Sequence, residues 1–293
     1  MNGALMSATT FDEPILYKGI YLYPITIKHY TIFKQVAEIL TLNQMSEKDI
    51  SLLGLPYLEY IYRKSESDES CYYSQMLLDV LRMCTKVNNI TFSENEQGDI
   101  FINFLKPSSD YDELLGGYQE LYQRYMECVN TDPLSEVGFA LARQLMELRE
   151  QMFDTYTFNA TEFDELRHVI CVQNDIDETL LDPEWEETLK EARKLIAKAD
   201  HTGGLEFRDL LIALSYDLKK TPDELVNMSI TTFDRYVEIM LRKESYGIAK
   251  SAEANGAKFK KPIEHWLRHY EPKGKYSDVV VDRADSFIED LNE

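Results

Sequence analysis

Nowhere in this chain do eighteen apolar residues follow one another, so no segment reads as a membrane span. The four cysteines, Cys71, Cys84, Cys128 and Cys171, form no Cys-x-x-Cys pair, which argues against zinc ribbons and thioredoxin-like redox centres. A Gly-rich phosphate loop completed by Lys and Ser or Thr is missing. So are the Gly-x-Ser-x-Gly elbow, the His-Glu-x-x-His helix and the protein-kinase signature set. There is no internal repeat and no low-complexity tract. Met1 to Thr10 shows no basic stretch followed by an apolar one, so no signal peptide is read there. Few cysteines and no such leader lead to the expectation of reduced thiols in a cytoplasm.

Positive charge is also in short supply. Lys and Arg number 31 against 52 Asp and Glu, a formal net charge of −21 with a pI of about 4.7. A field of that sign repels phosphate backbones and anionic bilayers, so no nucleic-acid or membrane partner is expected. The charge is uneven, however. Between Arg235 and Lys275 ten Lys or Arg face five Glu, a local balance of +5. An acidic body with a basic segment suits head-to-tail self-association or docking on an acidic partner. A solvated face is the plainer reading.

What is plentiful points to a packed interior. Apolar residues make up 44% and aromatics 12%, the values of a globular chain. Tyrosine reaches 19, and its ring with a polar tip suits half-buried helix faces and protein contacts. Ile15-Leu16-Tyr17 and Ile20-Tyr21-Leu22-Tyr23 around Lys18-Gly19 predict a β-hairpin, closed by Pro24. A helix is predicted from about Lys28 to Leu42, burying Ile32, Phe33, Val36, Ala37, Ile39 and Leu40. Shorter helices follow near Ser46–Leu53 and Pro56–Arg63, then one over Ser70–Thr85. Asn89 to Leu105 alternates about a Glu96-Gln97-Gly98-Asp99 turn and predicts a second hairpin. From Tyr111 the period is helical, broken at Asp132-Pro133. Thr161 and Asp164 predict a capping box, Pro183 the entry of a helix running to about Lys198, and Glu206 to Leu218 another. Thr221-Pro222-Asp223-Glu224 is the clearest helix start, and a helix opening at Ser229 to Thr232 buries Phe233, Val237, Met240 and Leu241 before Asn255-Gly256 stops it. Ala284 to Leu291 predicts a short acidic amphipathic terminus. The fold class that emerges is mainly α with small antiparallel β-hairpins (α+β), a multi-helix globular protein. A boundary near residue 107 divides an N-terminal α+β region with two hairpins, 1–107, from a helical region with a basic C-terminal segment, 108–293.

Each candidate for chemistry has a plainer alternative. Asp200 to Glu206 has the look of a calcium loop, but counting from Asp200 puts Gly204 at position five and Leu211 at twelve, where an EF-hand needs oxygen ligands. His265 and His269 are four apart but lack a third ligand, and a basic surface helix anchored by Trp266 explains them. The acid clusters Asp175-Ile176-Asp177-Glu178 and Glu184-Trp185-Glu186-Glu187 have the composition for magnesium or proton transfer, yet with 52 acids such pairs arise by chance. Gly116-Gly117 lacks the rest of a phosphate loop. No catalytic residue, metal ligand or cofactor is assigned. The mixed basic and aromatic stretch leaves Lys258, Lys260, Lys261, Trp266, Arg268 and Tyr270 as the partner-binding candidates.

Several short stretches also resemble a family encoded by phages of Gram-positive bacteria. They are Lys18-Gly19-Ile20-Tyr21-Leu22-Tyr23-Pro24-Ile25, Thr161-Glu162-Phe163-Asp164-Glu165-Leu166-Arg167, Cys171-Val172-Gln173-Asn174 and Met228-Ser229-Ile230-Thr231-Thr232-Phe233-Asp234-Arg235, together with Lys250-Ser251-Ala252-Glu253-Ala254-Asn255-Gly256 and Phe259-Lys260-Lys261-Pro262-Ile263-Glu264-His265-Trp266. The similarity covers roughly the first 60 and the last 130 residues, and lies in turns and caps. The family is that of tail-assembly chaperones and related morphogenesis factors, many of them shorter than this chain. The resemblance implies a protein that holds other tail proteins, the tape measure or a tube subunit, in the host cytoplasm without catalysis. Its means would be a groove of Tyr, Phe and Met that covers an amphipathic helix. A structural virion protein or adaptor, and a metal-dependent enzyme of unrecognised type, are the alternatives.

Overall fold

The computed structural model describes residues 12–67, 70–132, 135–199, 206–259 and 262–267. The fold is mainly helical with two small antiparallel sheets. Strands β1 (Ile15–Tyr17) and β2 (Ile20–Leu22) form the first hairpin, with Tyr17 opposite Ile20. Gly19 turns it at φ +89°, and a Cβ there would stand 2.4 Å from the Tyr156 ring, so only glycine lets the hairpin lie against that residue.

Where one helix is predicted over Lys28–Leu42, the chain makes a 3-10 turn (Ile27–His29), the helix α1 (Tyr30–Val36) and a second 3-10 turn (Ala37–Leu40). The tightening has a cause. The Ile39 carbonyl accepts from the Tyr57 hydroxyl at 2.7 Å, and the Leu40 carbonyl accepts from Arg167 Nη1 at 2.7 Å, so neither is left to a further helical turn. Phe33, Ile39 and Leu40 are buried as expected, but Ile32 is half exposed. Ser46–Leu53 is likewise two 3-10 turns (Gln44–Ser46 and Ile50–Leu52), because the Asn43 and Asp49 side chains accept from the backbone two residues on.

Helices α2 (Tyr57–Glu66) and α3 (Tyr72–Thr85) form the inner helical layer, with Leu58, Ile61, Leu77, Val80, Leu81 and Cys84 fully enclosed. Strands β3 (Asn89–Glu94) and β4 (Ile100–Pro107) form the second hairpin, in the register Ile90–Phe104 and Phe92–Ile102. A strand that the helical pattern hid, β5 (Phe153–Phe158), completes a three-stranded sheet with β4 at its centre. Between β4 and β5 the chain makes two long helices, α4 (Tyr111–Thr131) and α5 (Glu136–Met152). After β5 come α6 (Ala160–Gln173), α7 (Pro183–Ala199), α8 (Phe207–Leu218), the short α9 (Pro222–Leu225) and α10 (Ile230–Ala254).

Most caps follow the sequence. Thr221 and Glu224 close a capping box with Pro222 at the first position, Ser229 caps α10, and Gly256 follows it at φ +96°. The box at α6 is displaced by two residues from the predicted Thr161–Asp164. Asn159 is the cap and Glu162 its partner, because Phe158 still belongs to β5 and the helix begins directly after it.

The two regions on either side of residue 107 do not have separate cores. Strand β5 pairs with β4 across that boundary, and one apolar cluster joins Ile20, Leu22, Ile25, Leu77, Phe104, Phe158, Phe163, Ile170 and Phe233. Among the described residues no helix is long and apolar enough to cross a membrane. The stretches Met1–Thr10 and Ala284–Leu291, and Asp200 to Leu205 of the calcium-like sequence, lie outside the described residues.

Asn174, at the end of α6, ties the N-terminal segment to that helix. Its buried side chain accepts from the Ile25 N–H at 2.9 Å and donates to the Ile170 carbonyl at 2.9 Å. Asn174→Ala leaves a buried N–H without a partner, and a loss of about 1–3 kcal/mol is expected by urea unfolding.

Candidate functional site

Two questions decide where function lies: whether titratable groups converge, and which apolar surface has no cover. The titratable clusters prove to be occupied in holding the fold. Arg167 reaches Asp164 at 3.7 Å and Glu178 at 3.6 Å, lies over the Tyr57 ring at 4.2 Å, and donates to Leu40. Glu178 also takes the His168 Nδ1 contact at 2.6 Å, which fastens the loop after α6 back to that helix. Burial raises the Asp164 carboxyl above its usual range, and burial pushes the Cys171 thiol up to about 12, far from a thiolate nucleophile. Asp177 bonds the Thr179 N–H and hydroxyl, and Asp175 lies 4.0 Å from Arg235. Glu186 is buried, where it accepts from Asn43 at 3.0 Å and pairs with Lys190 at 3.4 Å. Each acid cluster singled out from the sequence is thus engaged within the chain. Among the described residues no group of three or more His, Cys, Asp or Glu is placed to hold a metal ion.

The predicted partner-binding residues are only partly in view. Lys258 is exposed beyond α10, and Trp266 is partly covered; Lys260, Lys261, Arg268 and Tyr270 lie outside the described residues, as does His269. Residues 262–267 form no helix, contrary to the surface helix expected around Trp266. They lie along α10 instead, where Ile263, His265 and Trp266 line a hollow of about 480 Å³ with Leu241, Tyr246 and Ala249. Trp266 stacks on His265, which meets Tyr246 at 5.1 Å. The α10 face offers the segment the apolar cover that a lone short helix would lack.

Single apolar side chains are exposed on α7, α8 and α10 as well (Leu195, Tyr216 and Ile248 among them), but α4 and α5 present theirs on a pair of helices packed mainly on each other. These antiparallel helices leave the sheet at its paired end, where Pro107 faces Phe153, Ser108 N–H bonds the Met152 carbonyl at 2.9 Å, and Tyr111 meets Phe153 edge to face. Helix α4 has 21 residues, about 30 Å, and none of them is buried. Its inner side, Leu114, Tyr118, Leu121, Tyr125 and Cys128, is only half covered, and chiefly by α5, which encloses Leu141, Leu145 and Met152. Among the described residues the pair is therefore a two-helix arm with no third layer over it.

Helical geometry sorts its exposed apolar residues. Tyr122 and Met126 lie one residue past the inner positions 121 and 125, so they are turned 100° from the α4–α5 contact. Phe139 and Met146 lie one past 138 and 145 in the same sense. Two right-handed helices running in opposite directions turn such residues towards the same side. One face of the arm thus presents Tyr122 and Met126 beside Phe139 and Met146, with Tyr118 stacked on Tyr122 below. Phe139 is 64% and Met146 66% exposed, against 7–8% for the inner Leu141 and Leu145. The sequence contained this face as a second apolar stripe, offset by one residue from the inner one, but the inner stripe alone sufficed to predict the helices.

Gly116 and Gly117 fall within α4 near the base, exposed, and with nothing within 4 Å of an added Cβ. Gly116→Ala and Gly117→Ala are each expected to raise stability by about 0.5–1 kcal/mol, read as a higher melting temperature. No protein-family model, no curated protein and no solved structure matches the chain.

Proposed function

We propose that this chain is a phage tail-assembly chaperone-like protein that holds another tail polypeptide and makes or breaks no covalent bond. The observation that carries the reading is the arm face of Tyr122, Met126, Phe139 and Met146 on two helices that lack a third. An amphipathic helix laid between α4 and α5 completes a three-helix layer and buries its own apolar stripe, the helix-in-groove mode. Met suits the task because an unbranched, polarizable side chain adapts to an uneven stripe. Tape-measure proteins are long helices with such stripes, and a tube subunit is the second partner of the proposed assembly. The net charge of −21 keeps the loaded complex soluble in the host cytoplasm. The basic C-terminal segment, exposed at Lys258, makes a further contact with a tube subunit or a sister copy.

Co-expression with the tape measure and tube proteins encoded beside it tests the proposal. A stable complex is expected with the tape measure, and failure to co-purify with either protein overturns the reading. In that complex the double substitution Phe139→Glu and Met146→Glu is expected to weaken binding at least tenfold. Because both side chains are about two-thirds exposed, the far-ultraviolet spectrum and melting temperature of the free protein should stay close to wild type.

A further inference from the structure

At the base of the arm three hollows run together. The first, about 540 Å³, is lined by Tyr23, His29, Arg82, Lys86 and Asn88 with Asp12. The second, about 560 Å³, shares Tyr23, Lys86 and Asn88 and adds Lys106, Tyr111 and Phe153. The third, about 430 Å³, shares Asn88, Tyr111 and Phe153 and adds Tyr118 and Arg149. The three share lining residues and so adjoin one another around the α3–β3 corner, the third reaching Tyr118 on the arm; together they are termed the groove.

Its lining is unlike the rest of the molecule. Four cations, Arg82, Lys86, Lys106 and Arg149, face it beside His29, whose imidazole is held towards its neutral form by burial, and Asp12 is the one carboxylate among the described lining residues. Asp12 is engaged by the Thr232 hydroxyl at 2.9 Å, and Arg82 by Asp79 at 2.9 Å. Lys86, Lys106 and Arg149 pair with no carboxylate among the described residues, although acids outnumber bases 52 to 31 in the chain. Asp154 stands opposite Lys106 in the β4–β5 register without bridging it. The corner that carries Lys86 is also held in place. Arg82 Nε bonds the Asn88 carbonyl at 3.2 Å, Val87 N–H bonds the Thr85 hydroxyl at 3.2 Å, and Lys86 takes a left-handed φ of +58° with its ammonium 3.7 Å from the Tyr23 ring centre. Between the cations lie apolar walls of Ile20, Val87, Leu105, Pro107 and Phe153.

We infer that this groove binds an extended peptide segment in which acidic residues alternate with apolar ones. Exposed cations along a hollow with apolar walls match side chains that alternate in the same way, since successive residues of an extended chain point to opposite sides. A nucleic-acid strand carries a charge on every residue, sets those beyond the groove against a chain of −21, and leaves the apolar walls without partners. At physiological ionic strength screening over about 8 Å separates the groove from the more distant acids, so the local cations decide what binds. The groove stands as a site whether or not the arm holds a helix. Where both are occupied, one polypeptide can enter as an acidic extended stretch and continue as the helix.

Fluorescence anisotropy on the full chain tests this with three probes. They are a labelled twelve-residue peptide alternating Glu with Leu or Phe, its Gln counterpart, and a dodecamer of deoxythymidylate. The Glu peptide is expected to bind at least tenfold more tightly than either other probe, and to weaken as salt is raised. The double substitution Lys86→Glu and Lys106→Glu, on exposed groups of the corner and sheet, is expected to weaken it at least tenfold. Phe139→Glu with Met146→Glu should leave it unchanged, so failure of the arm reading and failure of this one are separable. No binding of the Glu peptide, equal binding to the charge-reversed protein with an unaltered melting curve, or tighter binding of the oligonucleotide overturns the inference. Should the charge reversal alter the melting curve, Lys86→Gln with Lys106→Gln replaces it, and the same tenfold loss or its absence decides.

Discussion

The short extended segment from Leu22 to Ile27 is the joint on which the molecule turns, because its backbone groups are satisfied by elements far away in the chain. Tyr23 N–H bonds the Cys84 carbonyl at the end of α3, and Ile25 N–H bonds the Asn174 side chain at the end of α6. Ile27 N–H bonds the Met228 carbonyl, the Ile25 carbonyl accepts from Ile230 N–H at the start of α10, and Gln173 donates to the Leu22 carbonyl. Pro24 has no N–H to satisfy, so it fits between these bonds at no cost. Buried backbone polar groups left without partners are expensive, so this segment, α3, α6 and α10 assemble together or not at all. The Cys84 carbonyl bond also fixes the end of α3, and with it the corner that presents Lys86.

Against that tightly tied body the arm is a loosely tied element. It is inserted between two strands that pair with each other, so it can lengthen without disturbing the sheet, as any hairpin connection can. Its stability comes from one helix-to-helix contact and the aromatic pair at its base, Tyr111 and Phe153. A helix that buries nothing fully has little tertiary reward for its ordering, and two glycines near its base reduce that further. Surface that the fold itself does not need is surface that a partner is free to use, and the proposed holding role rests on that.

How much of this could be read from the residues depends on what sets each feature. Features determined locally were legible: the capping box at Thr221–Glu224, the Ser229 cap, both hairpins, and the periods of α4, α5 and α10. Features determined by a distant partner were not. The 3-10 turn Ala37–Leu40 depends on Tyr57 and Arg167 drawing two carbonyls aside. Strand β5 has the aromatic and β-branched alternation of a strand in Phe153-Asp154-Thr155-Tyr156-Thr157-Phe158, but it follows α5 directly and lacks a turn signal to separate them. The boundary near residue 107 was drawn at a real change of period, yet the change marks an insertion into the sheet and not the end of a core. Of the basic C-terminal run, Lys258 is exposed beyond α10, while Ile263, His265 and Trp266 lie along that helix.

Counting charges along the chain conceals which of them are available. The acid clusters at 175–178 and 184–187 look reactive in sequence, but Glu178 and Glu186 are committed to His168, Arg167, Asn43 and Lys190. The cations of the groove come from α3 and its following turn, β4 and α5, with His29 beside them from the first 3-10 turn, and only Arg82 and Lys86 are near one another in sequence. In a chain with so many surplus carboxylates, a cation can remain without one only if the fold keeps the acids turned away. Lys86 on the braced corner, Lys106 on β4 and Arg149 on α5 amount to a charge pattern that pairing among the described residues does not account for. An unpaired cation gains more from a desolvating carboxylate partner than a paired one does, so the groove, and not the acidic body, has electrostatic energy left to give to a binding partner.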